Sequence, residues 1–362
     1  MADGMTTTTR RDADDVRRAL EPWLAARLPG QQVENLQVAA PEGHGFSNDT
    51  LIVDVTVDGV PMPLVCQAAP TGPGLFPEYP IARMANVQRG LRDHSDVPVA
   101  NVRWLEEDAA ILGAPFYVMD KLEGLVPDES PVPYPVSGWV HEATADQRRT
   151  MWTSLIEAMA KLARLDVAEH FPFLTATRWG MSLDADAAPE RVRQWREFTI
   201  WASEDDTSLP PTLMRAWDVL AASTPPRPER LSINWGDAKL GNVMFRDFHV
   251  VALFDWELCG VGPAEEDITN LLALDQVFAN LCRVPRSEGF LSRDETLGMY
   301  SERIGRELIG TDWWYTFALA KMAAEVHRMQ LQSRKLTGES ADIDLESVNI
   351  ALPVLREALA AL

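Results

Sequence analysis

The sequence predicts an α+β protein in two lobes, a small β-rich N-terminal lobe and a larger, mainly helical C-terminal lobe. Three observations predict it. Between residues 33 and 119, apolar residues alternate or fall in short β-branched runs, with one helical stretch among them. From Thr144 onward the apolar spacing turns helical. A short β-rich insert, residues 231–257, then separates two groups of helices.

The elements follow in order. Residues 1–15 are polar and charged, lack the apolar stretch of a signal peptide, and read as a disordered leader. Residues 15–28 place Val16, Leu20, Trp23, Leu24 and Leu28 on one helical face. A strand is expected over 33–38. Residues 50–57 alternate, Asp58-Gly59 is a hairpin pair, and 62–68 return. A helix over 81–94 precedes strands over 101–105 and 115–119. Residues 120–135, rich in Pro, Asp, Glu and Val, form a linker. Met151, Trp152, Leu155, Ile156, Met159, Leu162 and Ala163 then mark one face of a long helix. Further helices are expected over 191–202, 211–222, 265–281, 294–308, 313–336 and 345–361. The expected divisions are a leader with a short helix (1–29), a β-rich lobe (30–120) and a helical lobe (121–362).

Composition narrows the partners. A chain of 362 residues suits two domains or one two-lobed unit. Its net charge of −21 argues against nucleic acid or an anionic membrane as partner, since both need a basic surface, and is compatible with a cationic substrate. No apolar run reaches the roughly 18 residues of a membrane span. Cys66, Cys259 and Cys282 are odd in number and widely spaced, which fits neither a disulfide framework nor a zinc site. A reducing cytoplasm is the simple reading, for a monomer or homodimer.

The informative segment is 233–270. Asp237 is followed five residues later by Asn242, and two short apolar runs, 243–245 and 250–254, then end on Asp255. This order suits phosphoryl transfer. A loop aspartate can orient an attacking hydroxyl and accept its proton. An asparagine on the same loop can offer a neutral oxygen to Mg2+, and a second aspartate after the hairpin can bridge Mg2+ and the phosphates of ATP. Mg2+ takes oxygen ligands and keeps waters and phosphates in its shell, so one Asn and one Asp suffice. Either aspartate alone would more often be a turn or cap residue. The three together, in this order, favour function.

Gly236-Asp237…Asn242 followed by Asp255-Trp256-Glu257 resembles the signature of the aminoglycoside phosphotransferase family, a relative of protein kinases. Gly262-Pro263 with Asp267 resembles the segment after the magnesium aspartate, where the family's aspartate holds the catalytic loop. Leu112 to Met119 resembles the strand leading to the hinge, Gly43 to Thr50 the nucleotide-covering loop, and residues 317–322 a late helix near the substrate lobe. The resemblance covers roughly residues 33–335. More distantly, the chain is similar to the kinase-like domain joined to some acyl-CoA dehydrogenases.

The resemblance implies a two-lobed protein-kinase-like fold and transfer of the γ-phosphoryl group from ATP, with Mg2+, to a small-molecule hydroxyl. It assigns Asp237 as the orienting residue and Asn242 and Asp255 as the Mg2+ ligands. Gly45, Ser47, Asn48, Gln67 and Met119 would meet the nucleotide: the covering loop through its backbone N–H groups and the Ser47 hydroxyl, Met119 at the hinge beside the adenine. Lys239, two residues after Asp237, would stabilise charge on the transferring group; the other reading is a solvated surface lysine. Glu257 would touch a second Mg2+ or cap a turn. The acidic stretch 204–206 is a solvated face or a substrate-site candidate.

Three departures stand out. The family carries Lys or Arg where this chain has Gln67, and that cation pairs with the α/β-phosphates and a helix glutamate. The glutamate is also absent, the candidate positions being Met84 and Asn86. The histidine common before Gly-Asp is Trp235, whose indole can brace the catalytic loop by packing. These departures motivate an alternative, a catalytically impaired nucleotide-binding or scaffold protein of the same fold. A further alternative keeps the chemistry but changes the acceptor to a hydroxyacyl thioester.

Overall fold

Alternation in the first lobe resolves into one antiparallel sheet. The computed structural model describes residues 11–41, 48–72, 74–203, 209–337 and 344–362. It divides into two units, Met1–Asp93 with Val99–Glu123, and His94–Pro98 with Gly124–Leu362.

In the first unit, β1 (Val33–Ala39), β2 (Asp49–Val57), β3 (Val60–Ala68), β4 (Val102–Glu106) and β5 (Phe116–Asp120) pair in the order β1-β2-β3-β5-β4. Asp58 and Gly59 join β2 to β3 with φ of 51° and 78°. Both are positive, as the tight primed hairpin turn requires. Among the described residues of this unit lie two helices, α1 (Ala13–Arg27) and α2 (Ile81–His94). One sheet face, with Leu51, Val53, Leu64, Cys66, Phe116 and Val118, buries Val16, Leu20, Trp23 and Leu24 of α1. Each such side chain is worth about 1.5–3 kcal/mol on full burial, so α1 is integral to the sheet.

The chain is ordered earlier than the composition suggested. Asp12 caps α1 by accepting from the backbone N–H of Asp14 and Asp15, both at 3.0 Å. Arg11 reaches Asp49 at 2.5 Å and the carbonyls of Ala69 and Leu112 at 2.8 Å each. Residues 11–15, expected in the leader, are therefore held by caps and ion pairs. The other sheet face carries Gln67 opposite Tyr117.

The second unit contains α3 (Gly138–Glu142), α4 (Ala145–Ala163), α5 (Val167–His170), α6 (Ala187–Ala202), α7 (Pro211–Ala222), α8 (Ala264–Cys282), α9 (Arg293–Ile304), α10 (Thr311–Thr337), α11 (Leu345–Val348) and α12 (Leu352–Ala361). Two small antiparallel sheets lie among them, β6 (Ser232–Asn234) with β9 (Gly260–Gly262), and β7 (Val243–Arg246) with β8 (His249–Leu253). A Thr144–Gln147 capping box starts α4, which buries the stripe read from the sequence. Gly305, at φ 74°, stops α9 short of the expected residue 308. The expected helix over 345–361 is two pieces. The Asn349 side chain donates to the Ala323 carbonyl at 2.9 Å and accepts from the Ala351 N–H at 3.1 Å, bending the chain before α12.

Charge is buried at the start of α8. Glu265 accepts from Arg306 at 2.6 and 2.8 Å, and Glu266 pairs with Arg191 at 2.7 Å. Arg191 also donates to the carbonyls of Trp179 and Val261 at 2.8 and 2.9 Å. Buried ions are tolerated when paired and hydrogen-bonded in this way. The pairs fix α8 against α6 and β9, and so position the site.

Candidate active site

The site begins where β6 ends. Residues 235–241 form an irregular loop, and nearly every turn of its backbone is held by a side chain from elsewhere. Asp267 on α8 accepts from the N–H of Trp235 at 2.7 Å and of Gly236 at 3.0 Å. Lys321 on α10 donates to the Gly236 carbonyl and, at 3.3 Å, to Asn270 Oδ1. Asn270 Nδ2 donates to the Ala238 carbonyl at 3.1 Å. Glu129 accepts from the Gly241 N–H at 3.1 Å. Gly236 has φ +91°, and a Cβ there would sit 2.4 Å from the Leu258 carbonyl oxygen, so only glycine fits.

Three sequence-predicted residues meet on this loop. Asn242 Nδ2 donates to Asp237 Oδ2 at 2.8 Å and to the Asp237 carbonyl at 3.0 Å. Lys239 Nζ lies 3.1 Å from Asp237 Oδ2 and 3.6 Å from Glu129 Oε2. Burial alone would raise the Asp237 pKa. The charges of Lys239 and Lys321, with hydrogen bonds from Lys239 and Asn242, outweigh it and hold the carboxyl below the usual range. Burial would likewise lower Lys239, but Asp237, Glu129 and Asp255 raise it well above the ordinary lysine value. Asp237 is thus a carboxylate and Lys239 an ammonium at neutral pH.

Asp255 follows β8 with φ 61°, a left-handed backbone that a non-glycine residue adopts only when its surroundings enforce it. The brace is Trp235, whose indole Nε1 donates to the Phe254 carbonyl. It packs 6.0 Å, centroid to centroid, from Trp256. Burial first, then the Asp237 charge, pushes the Asp255 carboxyl up to about 7.

The residues fit a hard divalent cation. Asp255 Oδ1 is buried with no hydrogen-bond partner. Asn242 spends its amide nitrogen on Asp237, and no donor among the described residues reaches its Oδ1. Two bare oxygens, one of them on a carboxylate disfavoured by neighbouring negative charge, suit Mg2+.

In the first unit, Gln67 is buried on β3, Met119 is half-buried on β5 and Asn48 is buried just before β2. Gln67 and Met119 share a sheet face, since Gln67 pairs with Tyr117 and Val65 with Met119. Gly45 and Ser47 lie outside the described residues, as does the acidic stretch 204–206. The helix partner of Gln67 is neither Met84 nor Asn86. Gln88, one turn further along α2, reaches Tyr117, which donates to Gln67.

Sequence reasoning missed Glu129, Asn270, Lys321 and Glu325. Glu129 comes from the stretch read as a linker. Lys321 and Glu325 sit one turn apart on α10, on the same side, where the sequence shows only helical spacing. Glu325 Oε1 is buried without a hydrogen-bond partner. Burial, opposed by Lys321 and reinforced by Asp237, raises its pKa to about 7.

Comparison with known proteins bears on the family and the fold. The chain is 24% identical over 314 residues to a protein of Arabidopsis thaliana described as probable acyl-CoA dehydrogenase IBR3. The match takes in 83% of this chain but only 36% of that longer protein. A Ralstonia eutropha structure provisionally described as an aminoglycoside phosphotransferase superposes with a TM-score of 0.69 at 21% identity, over 94% of this chain and 95% of that one. The aminoglycoside phosphotransferase APH(4)-Ia, a thermostable mutant in ternary complex with AMP-PNP and hygromycin B, superposes with a TM-score of 0.55 at 11% identity, over 95% and 97%. The profile of the phosphotransferase enzyme family (APH) matches residues 38–298. The chain belongs to the phosphotransferase enzyme family and has its kinase-like fold.

Proposed function

We propose that this protein transfers the γ-phosphoryl group of ATP to a hydroxyl group of a small molecule, with Mg2+. The observation that carries the reading is the cluster of Asp237, Lys239 and Asn242 within hydrogen-bonding reach, with Asp255 beside it carrying a buried bare oxygen. The complex of the fold neighbour with AMP-PNP and hygromycin B supports a nucleotide and a hydroxylated acceptor.

Each residue has a part. Asp237, ionised and pinned by Asn242, accepts a hydrogen bond from the acceptor hydroxyl, aligns its oxygen for attack on the γ-phosphorus, and takes its proton as the new P–O bond forms and the bond to the β-phosphate breaks, releasing ADP. Lys239 places a positive charge beside Asp237, where the transferring group's oxygens gather charge. Asn242 Oδ1 and Asp255 Oδ1 would hold Mg2+, which when bound neutralises phosphate charge. Lys321 and Asp267 keep the loop from shifting. The acceptor is an aminoglycoside-like or other hydroxylated metabolite, or a hydroxyacyl thioester.

A second reading rests on Gln67. With a neutral amide where the family has a cation, the protein would bind nucleotide without turnover. One titration separates the two. ATP is added with and without Mg2+ while intrinsic tryptophan fluorescence, to which Trp235 and Trp256 beside the two aspartates contribute, is followed, and pooled acceptors are then screened for ADP release. Saturable, Mg2+-dependent binding lost in Asp255→Ala, with acceptor-dependent ADP release lost in Asp237→Ala, supports the kinase. Binding with no release from any pool favours the scaffold. Full transfer by Asp237→Ala would overturn the assignment of Asp237.

A further inference from the structure

Glu129 stands beside a charge that repels it. Its Oε1 accepts from the Gly241 N–H at 3.1 Å, and its Oε2 lies 3.6 Å from Lys239 Nζ. Burial raises the pKa of this carboxyl, Lys239 opposes the rise, and the charge of Asp237 adds to it. Gly241 makes the approach possible, because a Cβ there would fall 2.3 Å from the Glu129 carboxyl carbon. A carboxylate pushed away by Asp237 keeps this place only if its own backbone is held.

The chain holds it by turning back on itself. The N–H of Tyr134 donates to the Asp128 carbonyl at 2.7 Å, which closes residues 128–134 into a short loop. Pro131 and Pro133 fix two of its φ angles, so the place of Tyr134 dictates that of Glu129. Tyr134 is 1% exposed, and its hydroxyl donates to Asp275 Oδ1 at 2.6 Å. Its ring packs 5.8 Å from Phe278 and 6.4 Å from Phe290, between centroids. Asp275, itself buried on α8, takes Arg286 on its other oxygen, and the Arg286 guanidinium lies 5.2 Å from the Trp152 ring. Burial first, then the Asp275 charge, holds the Tyr134 phenol well above its ordinary pKa, so it remains a donor. A phenylalanine would fill the same space. What the hydroxyl adds is direction, through a bond to a charged oxygen, stronger than one between neutral groups.

We propose that Tyr134 is a positioning residue for phosphoryl transfer: bolted to Asp275, it holds Glu129 against Gly241 and Lys239, and so keeps Lys239 beside Asp237. This inference rests on the reading that the protein transfers phosphate from ATP. Tyr134 touches none of the reacting groups and acts only through Glu129. Three elements far apart in the chain thereby meet at one loop: α8 supplies Asp275, the 128–134 loop supplies Glu129, and the loop after β6 receives them.

The test uses Tyr134→Phe, which removes one oxygen and leaves Asp275 paired with Arg286. Amide hydrogen exchange followed by NMR reads the contact itself. Exchange at Gly241, held by Glu129, should quicken roughly 10-fold, while Trp235 and Gly236, held by Asp267, should keep their rates. Equal quickening at all three amides would show general loosening and overturn the proposal, as would no change at Gly241. ADP release from Mg2+-ATP, with water or pooled acceptors, reads the function. Tyr134→Phe should lower kcat roughly 5–10-fold with the KM for ATP unchanged. In the Glu129→Ala background it should lower kcat no further, because the two residues act as one unit. Losses that multiply in the double variant would overturn the link through Glu129. A wild type that releases no ADP with water or any acceptor pool removes this inference together with the reading it rests on. A releasing wild type with multiplying losses, or with Gly241 unmoved, removes this one alone.

Discussion

The indole nitrogen of Trp235 lies 2.8 Å from the carbonyl oxygen of Phe254. One hydrogen bond therefore ties the loop carrying Asp237 to the turn that delivers Asp255. Trp235→Phe keeps the aromatic bulk but leaves that carbonyl unpaired, at a cost of about 1–3 kcal/mol. The variant should unfold at lower urea and bind Mg2+-ATP more weakly than the wild type, with little change in Mg2+-free nucleotide binding. Equal loss with and without Mg2+ would detach Trp235 from Asp255.

Gly236→Ala tests the entry to the loop. Its Cβ would press on backbone rather than on a side chain able to move, at a φ that disfavours any other residue. A loss of about 3 kcal/mol or more is expected by chemical denaturation. Near-wild-type stability would mean that the loop adjusts freely.

Glu129 separates charge from hydrogen bonding. Glu129→Gln retains an oxygen for the Gly241 N–H but removes the negative charge beside Lys239, whereas Glu129→Ala removes both. Turnover should fall modestly in the first and by at least about 10-fold in the second, with the KM for ATP little changed in either. A fall in KM-limited rate alone would place Glu129 in ground-state binding.

Glu325 offers a pH signature. Its carboxyl ionises at about 7 in the fold, against an ordinary value of 4.5. The folded state holds this proton more tightly than the unfolded chain, so its contribution turns unfavourable as pH rises from about 4.5 through 7 and stays so above. Glu325→Gln should stabilise the protein by up to about 3 kcal/mol at pH 8 and by almost nothing at pH 4.5, as read from urea midpoints. A stabilisation that does not vary with pH would mean that Glu325 ionises normally. A carboxylate that costs stability at working pH, facing Lys321 and Asp237, should also matter for activity.

The sequence made some of this legible and hid the rest for physical reasons. The β-rich lobe was readable because alternation and the Asp58-Gly59 pair are local signals. Asp237, Asn242 and Asp255 were readable because one loop and one hairpin carry all three, so their spacing survives in the linear chain. Glu129, Asn270 and Lys321 reach the same loop from residues far along the chain, and nothing local distinguishes them from surface residues. Gln88 lies one turn beyond Met84 on α2, and it meets Gln67 through the Tyr117 hydroxyl rather than through a charge, a link with no sequence signature. The helix expected over 345–361 failed because Asn349 finds a tertiary partner, the Ala323 carbonyl, that helical periodicity cannot register.

The side chains that hold the loop 235–241 also govern how it breathes. The amides of Trp235 and Gly236 lie in irregular backbone, the kind that ordinarily exchanges its hydrogens within seconds to minutes. Both are nevertheless bonded to the buried Asp267 carboxylate, on a helix that is itself locked by the Arg191 and Arg306 pairs. They can open only if the start of α8 opens as well. Their hydrogen-exchange protection should match that of the helical core rather than that of neighbouring loops, which makes this stretch part of the last cooperative unit to unfold.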